Sequence, residues 1–293
     1  MEMTASPESQ QRAVVTGASS GIGAATAREL ARRGFHVLAG VRRAQDGDAI
    51  RGPGIEPVII DITNPEHIGV LATRVHGDPQ GRPLGALVNN AGVGVNVPVE
   101  AYAIAEWRHL FEVNLFGHIA VTQALLPALI RSTGRVVNIS SIGGKIAMAT
   151  YGPYAGTKFA LEAVSDSLRR ELAPLGVEVV VIEPGAVVTD MLGRASAAPH
   201  GTTAAMTPDQ SQRYGALVRA VAAQAASSGK SGVPPEAAAT VIATAVTARK
   251  PRTRYTVGRD SALLTRLVRL LPDRTVDRIL ATALRPHFAA TAA

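Results

Sequence analysis

Short runs of β-branched and small apolar residues recur along the chain, and a helical stretch follows most of them. A run that is apolar at every position suits a strand buried on both faces, as in a parallel sheet covered by helices. The spacing predicts strands at Ala13–Thr16, His36–Val41, Pro57–Asp61, Leu84–Asn89, Arg135–Ser140 and Val177–Glu183, with a short one at Arg254–Val257. Helices are predicted over Ile22–Arg33, Glu106–Arg131, Tyr154–Leu172 and Pro234–Ala248, with two more around Pro272. Repeated β-then-α order implies an α/β fold with a doubly wound parallel sheet, three layers deep, that binds its ligand at the strands' C-terminal ends.

A chain of 293 residues suits one such domain with added C-terminal helices. With 46% apolar but only 4% aromatic residues, its core must be built from Ala, Val, Leu and Ile. The absence of cysteine removes disulfides, thiolate catalysis and Cys-based metal sites, and no metal is expected. Residues 1–11 are polar and read as flexible, without the apolar segment of a signal peptide. No run approaches the roughly 18 consecutive apolar residues of a membrane span, so a cytoplasmic protein is expected. The net charge of +7 is concentrated at one end: from Arg249 onward ten Lys/Arg face three Asp, while the rest of the chain is balanced. That distribution argues against a nucleic-acid-binding body.

Between the first strand and first helix stands Thr16-Gly-Ala-Ser-Ser-Gly-Ile-Gly23. Glycines here permit a tight turn, close approach of a pyrophosphate and close helix–strand packing, and the helix N-terminus offers N–H groups to phosphate. The spacing differs from the general GxGxxG fingerprint. Further elements follow in order: Asp61, Asn89-Asn90-Ala91-Gly92, Asn114, Ser141, Tyr154-x3-Lys158, and Pro184-Gly185 leading to Thr189. Over residues 12–189 this pattern resembles the short-chain dehydrogenase/reductase family, whose fold is the Rossmann arrangement. The resemblance implies a nicotinamide cofactor held by Gly17, Ser19, Ser20, Gly21, Ile22, Gly23, Arg42, Asp61, Ile62, Asn90, Ala91, Gly92, Tyr154, Lys158, Pro184, Gly185 and Thr189. Asp61 would face the adenine amino group and Thr189 the nicotinamide carboxamide. A carboxylate ending the second strand would select NAD(H); this chain has Arg42-Arg43 there, which favours NADP(H) over NAD(H).

Tyrosine, with an ordinary pKa of about 10, needs a nearby cation to act as a base. Tyr154 and Lys158 are four apart on a predicted helix and share a face, so the ammonium favours the phenolate. Ser141, at the end of the fifth strand, can donate to a substrate oxygen, with Ser140 read as structural. The resemblance adds Asn114, holding a water that relays protons from Lys158. Tyr151 lacks a lysine four residues on, and His118 is read as packing or surface.

Residues 190–233 lack a clear period and are expected to form a substrate lid, followed by a basic helical tail over 249–293. The tail mixes leucines with Arg266 and Arg269. A helix over the cleft or at a subunit interface is preferred to one lying on a membrane surface. Pro251–Gly258 and Leu271–Arg274 resemble the tails of retinol- and 17β-hydroxysteroid-dehydrogenase-like members, which implies a steroid-, retinoid- or lipid-like alcohol or ketone. The alternatives are a 3-ketoacyl-thioester reductase and a non-catalytic NADP(H)-sensing protein. A homodimer or homotetramer is the family-level expectation.

Overall fold

The computed structural model describes residues 10–189, 206–230, 232–268 and 270–289. Seven parallel strands form one sheet in the order β3-β2-β1-β4-β5-β6-β7. They are β1 (Arg12–Val15), β2 (His36–Val41), β3 (Ile55–Ile59), β4 (Leu84–Asn89), β5 (Arg135–Ile139), β6 (Glu178–Pro184) and β7 (Arg254–Val257). Strand order reverses between β1 and β4, which opens a crevice at their C-terminal ends.

Successive residues of each strand face opposite layers. Ala13, Val15, Val37, Ala39 and Val137 pack under α1 (Gly21–Arg32) and α8 (Pro235–Thr247). Val14, Leu38, Leu87 and Val136 pack under α3 (Pro65–His76) and α5 (Gly117–Ser132). Alanines on α1 and α8, among them Ala24, Ala27, Ala238 and Ala243, are fully or almost fully buried and fill much of one layer without aromatic rings.

Several boundaries differ from expectation. β3 starts at Ile55, two residues early, because its register pairs Ile55 with Val37 and Pro57 with Ala39. Pro57 is tolerated because β3 is an edge strand. The long helix expected from Glu106 is divided: α4 (Ile104–Phe111), a π-helical turn at Glu112–Phe116, then α5. By length and apolarity alone Ile104–Ser132 would span a membrane; half of it is buried in the protein. α2 (Ala44–Ile50) and α3 are additional crossover helices. α6 (Gly152–Leu172) begins two residues before Tyr154.

Within the expected lid, α7 (Pro208–Lys230) is a long helix, while residues 190–205 lie outside those described. The tail forms α9 (Arg259–Val268) and α10 (Asp273–Ala289). Leu284 of α10 packs with Ala220 and Val221 of α7, against Leu217 and Tyr151. Helix α10 of the tail thus lies on α7; Arg269 and the Arg266 side chain are outside the described residues. Gln10 and Gln11, counted with the flexible start, are held: the Gln10 amide donates to Gly34 O at 3.0 Å, and Gln11 O accepts from His36 N at 2.9 Å.

Candidate active site

The turn after β1 is knotted to the turn after β4 through one hydroxyl. Thr16 Oγ1 accepts from both Asn90 N and Ala91 N at 3.0 Å, and the Asn90 amide donates to Thr16 O and Gly17 O at 2.9 and 3.1 Å. Asn90 therefore braces the glycine turn from below. A Cβ on Gly17 would lie 2.7 Å from Ala91 Cα, and the residue has φ +66°. At Gly23 a Cβ would meet Gly17 O at 2.2 Å and Asn90 Nδ2 at 2.4 Å. The first turn of α1 carries no carboxylate, leaving its N–H groups and positive dipole end suited to an anion. Ser19, Ser20 and Ile22 belong to this same turn, and the Thr189 side chain packs against Gly21. Sequence reasoning quoted Thr16 only as the start of the motif; its position directly before the first glycine was the available signal.

At the other end of the crevice β2 runs out into Arg42 and Arg43. Arg43 grips Asp46 with two hydrogen bonds of 2.8 and 2.9 Å. Arg42 is exposed and makes no hydrogen bond among the described residues, while its charge acts on Asp61. Asp61 accepts from Thr63 N and Oγ1 at 2.9 and 2.7 Å. Partial burial works against its ionisation, yet the Thr63 bonds and the Arg42 charge hold the carboxylate below its ordinary range. The cap of α3 is Asn64, whose Oδ1 accepts from Glu66 N and His67 N, so Asp61 is not spent on capping. Ile62 is buried and packs against Gly117 at the start of α5. This lining fits a dinucleotide: a carboxylate-free helix N-terminus in the middle, with an uncommitted guanidinium and an ionised carboxylate at one end.

Ser141, Tyr154 and Lys158 meet at the C-terminal end of β5. Ser141 opens a 3₁₀ turn at Ile142–Gly144, accepts from Gly143 N at 3.0 Å and lies close enough to the Tyr154 phenol to favour its ionised form. Burial pushes the Tyr154 phenol above its ordinary value; Ser141 opposes this and Tyr151 reinforces it, so the phenol is held as an acid. Lys158 Nζ lies 5.8 Å from the Tyr154 ring centre and donates instead to Ile139 O at 2.9 Å. Burial also lowers the Lys158 pKa to about 8, with Glu162 opposing the shift.

Asn114 is buried in the π turn. Its Oδ1 accepts from Val93 N at 2.9 Å, and its amide donates to Val93 O at 2.8 Å and Thr157 Oγ1 at 3.2 Å. The side chain is thus a clamp between the β4 turn and α6, which leaves its amide no donor for a relay water. A Cβ on Gly92 would stand 3.3 Å from Asn114 Oδ1 and 3.9 Å from Lys158 Nζ, so the β4 turn reaches both side chains. Pro184 ends β6, and Gly185 N donates to Val257 O at 3.0 Å with Ser261 of α9 pressed against it. Ser140 is buried beneath the site, and His118 is buried rather than at the surface. Among the described residues no cluster of metal-ligating side chains occurs.

Comparison with known proteins agrees with this geometry. The short chain dehydrogenase family model matches residues 11–200. The chain is 34% identical over 275 residues to NADPH-dependent 3-dehydrocapnine reductase of Ornithobacterium rhinotracheale, covering 91% of this chain and 95% of that protein. It is 37% identical over 283 residues to retinol dehydrogenase 5 of Mus musculus, covering 94% and 89%. A short-chain dehydrogenase structure from Streptomyces avermitilis superposes with a TM-score of 0.72 at 30% identity, covering 97% of this chain and 98% of that one. The seven-stranded sheet and the matched length place the chain in the short-chain dehydrogenase/reductase family, among NAD(P)-dependent oxidoreductases that act on CH–OH groups.

Proposed function

We propose that this oxidoreductase uses NADP(H) to interconvert a bulky apolar alcohol and its carbonyl form, with Tyr154 as acid/base. The observation that carries the reading is the convergence of Tyr154 with neighbouring Ser141 and with buried Lys158, whose Nζ lies 5.8 Å from the tyrosine ring. The turn Gly17–Gly23, braced by Asn90, Ala91 and Gly92, would hold the pyrophosphate, Asp61 and Ile62 the adenine, and Pro184, Gly185 and Thr189 the nicotinamide. Arg42 is the partner for a 2′-phosphate, and a relative named as NADPH-dependent supports that choice. When bound, the nicotinamide ring supplies or accepts the hydride.

In the direction of reduction Tyr154 gives its proton to the substrate oxygen while Ser141 donates a hydrogen bond to the same atom. The Lys158 ammonium then faces the phenolate left behind and stabilises it. Asn114 contributes by fixing the β4 turn against α6. A relative named for retinol, an apolar alcohol, supports the substrate class, as does the apolar contact of α10 with α7 beside Tyr151. The protein works in the cytoplasm as a homodimer or homotetramer; the exposed Phe116 and Phe159 rings support self-association.

The test follows nicotinamide absorbance with NADPH and NADH against retinoid aldehydes, steroid ketones, aliphatic ketones and ketoacyl thioesters. Tyr154→Phe is expected to lower kcat by about 10²–10⁴-fold while NADPH still binds. Arg42→Ala is expected to weaken NADPH by about tenfold and leave NADH unchanged. A wild-type protein that binds neither nucleotide overturns the reading.

A further inference from the structure

One stripe of α6 carries more charge than this chemistry uses. Tyr154, Lys158, Glu162 and Asp166 follow at four-residue steps and so stack along one side of the helix. The Glu162 side chain is 6% exposed. It accepts from Lys145 Nζ at 2.6 Å and Arg254 Nε at 3.1 Å. Lys145 closes the turn that starts at Ser141, and Arg254 opens β7. Both cations also approach Glu183 of β6, at 3.6 and 3.4 Å. The second Glu183 oxygen accepts from Thr256 at 3.1 Å. Arg254 reaches Asp166 at 2.8 Å, and Arg169 shares that carboxylate near the surface at 3.2 Å.

Buried charges persist only where opposite charges and hydrogen bonds compensate them. Three carboxylates, Glu162, Glu183 and Asp166, here meet Lys145, Arg254 and, near the surface, Arg169. Lys158, one turn above Glu162 and itself buried, is a further cation. Its hydrogen bond goes to a neutral carbonyl, Ile139 O, so no direct bond neutralises it. From α5, His118 faces it as a neutral imidazole; from its own helix, Tyr154 is a neutral phenol, and Tyr151 caps the helix start. Glu162 is the anion acting on Lys158, and its Oε1 is buried without a hydrogen-bond partner among the described residues.

We propose that Glu162 is a positioning residue: pinned by Lys145 and Arg254, its carboxylate keeps Lys158 charged and ties the Ser141 turn and β7 to the helix bearing Tyr154. Its importance for turnover rests on the reading of Tyr154 as acid/base; the electrostatic link itself does not. Replacing Glu162 with Gln leaves Lys145 and Arg254 still opposed by Glu183 and Asp166, while Lys158 loses the carboxylate one turn along its own helix.

The chain has four lysines, Lys145, Lys158, Lys230 and Lys250, so lysine labelled with ¹³C at Cε gives a countable NMR spectrum of the full chain without substrate. Lys158 is assigned by its loss in Lys158→Arg. Glu162→Gln is expected to lower the Lys158 titration midpoint by about one pH unit or more, and Lys145→Gln, which frees Glu162 of one cation, to raise it. A midpoint that stays put in both variants overturns the proposal. Should Glu162→Gln fail to fold, the upward shift in Lys145→Gln decides alone. Turnover by Tyr154→Phe reads the other question: if that variant stays active, the acid/base assignment fails whatever the lysine does. If it is dead while the lysine midpoint never moves, only the role of Glu162 fails.

Discussion

His118 places its imidazole between α5 and the sheet with 1% of its surface exposed and neither ring nitrogen in a hydrogen bond. Burial drives its pKa down to about 3, and the Lys158 charge pushes the same way. Ala91 backbone lies near enough to favour the charged form slightly, without hydrogen-bond geometry. In the unfolded chain the ring titrates near 6.5. The unfolded state therefore binds more protons between those values, so this contribution is complete above about pH 6.5 and declines as pH falls toward 3. The decline is about 2 kcal/mol at pH 5. His118→Leu is expected to narrow the difference between urea unfolding free energies at pH 7 and pH 5 by about that amount. An unchanged difference means the ring is not what makes the protein acid-sensitive. Gly23 is a second residue-scale test. Because an alanine Cβ would overlap backbone on the opposite side of the turn, Gly23→Ala is expected to cost about 1–3 kcal/mol and to abolish NADPH binding, read by melting and by NADPH fluorescence.

Among the elements, the lower end of the sheet is held by ions. Arg12 at the start of β1 donates to Arg82 O and Val75 O at 2.9 and 2.7 Å. Asp78, 2% exposed beyond α3, takes hydrogen bonds from Arg82 and Arg74, with Arg12 at 3.7 Å. The Arg82 bonds, with Arg74 and Arg12, hold its pKa well below the carboxylate range against partial burial. Its contribution is thus present above about pH 4 and is lost as pH falls below it. Asp78→Asn leaves three guanidinium groups facing mainly Glu56 and is expected to cost about 3–5 kcal/mol at pH 7, measured by denaturant unfolding. A loss under 1 kcal/mol would show the network to be surface-like.

The elements differ in how plainly the sequence announces them. Buried parallel strands are rich in Val, Leu and Ala between turn signals, so β2 and β4 match their expected limits, as does the short edge strand β7. Helix α7 escapes because Ala, Ser, Gly and Gln blur the contrast that makes an apolar face visible. The π turn at Glu112–Phe116 holds neither Gly nor Pro to mark it. Tyr154 and Lys158 are legible from their spacing on one helix. The Asn114 clamp on Val93 spans 21 residues, and the Glu162 bonds span 17 and 92, separations that local pattern does not encode.

At the scale of the whole molecule, the last helix, α10, packs on α7 instead of trailing from the sheet. Leu284 is buried where α10 crosses α7, and the Gln224 amide donates to Ala283 O at 3.3 Å. Leu284→Ala is expected to cost about 2 kcal/mol and to speed proteolysis within α7 before any cut in the sheet. Digestion that starts in the sheet would show the tail and lid to be independent.

The bond between Arg254 and Glu162 joins positions 92 residues apart, and this has a consequence for synthesis. At about 5–20 residues per second, roughly 5–18 s pass between making Glu162 and making its partner. By the end of that interval the emerging chain carries three carboxylates, Glu162, Asp166 and Glu183, without their guanidinium and a β6 edge without its neighbour. An uncovered edge invites pairing with other chains, so the late nascent chain is the form most in need of a chaperone. The enzyme is finished from its far end: a ribosome stalled before Arg254 would display Tyr154 and Lys158 on a helix not yet locked in place.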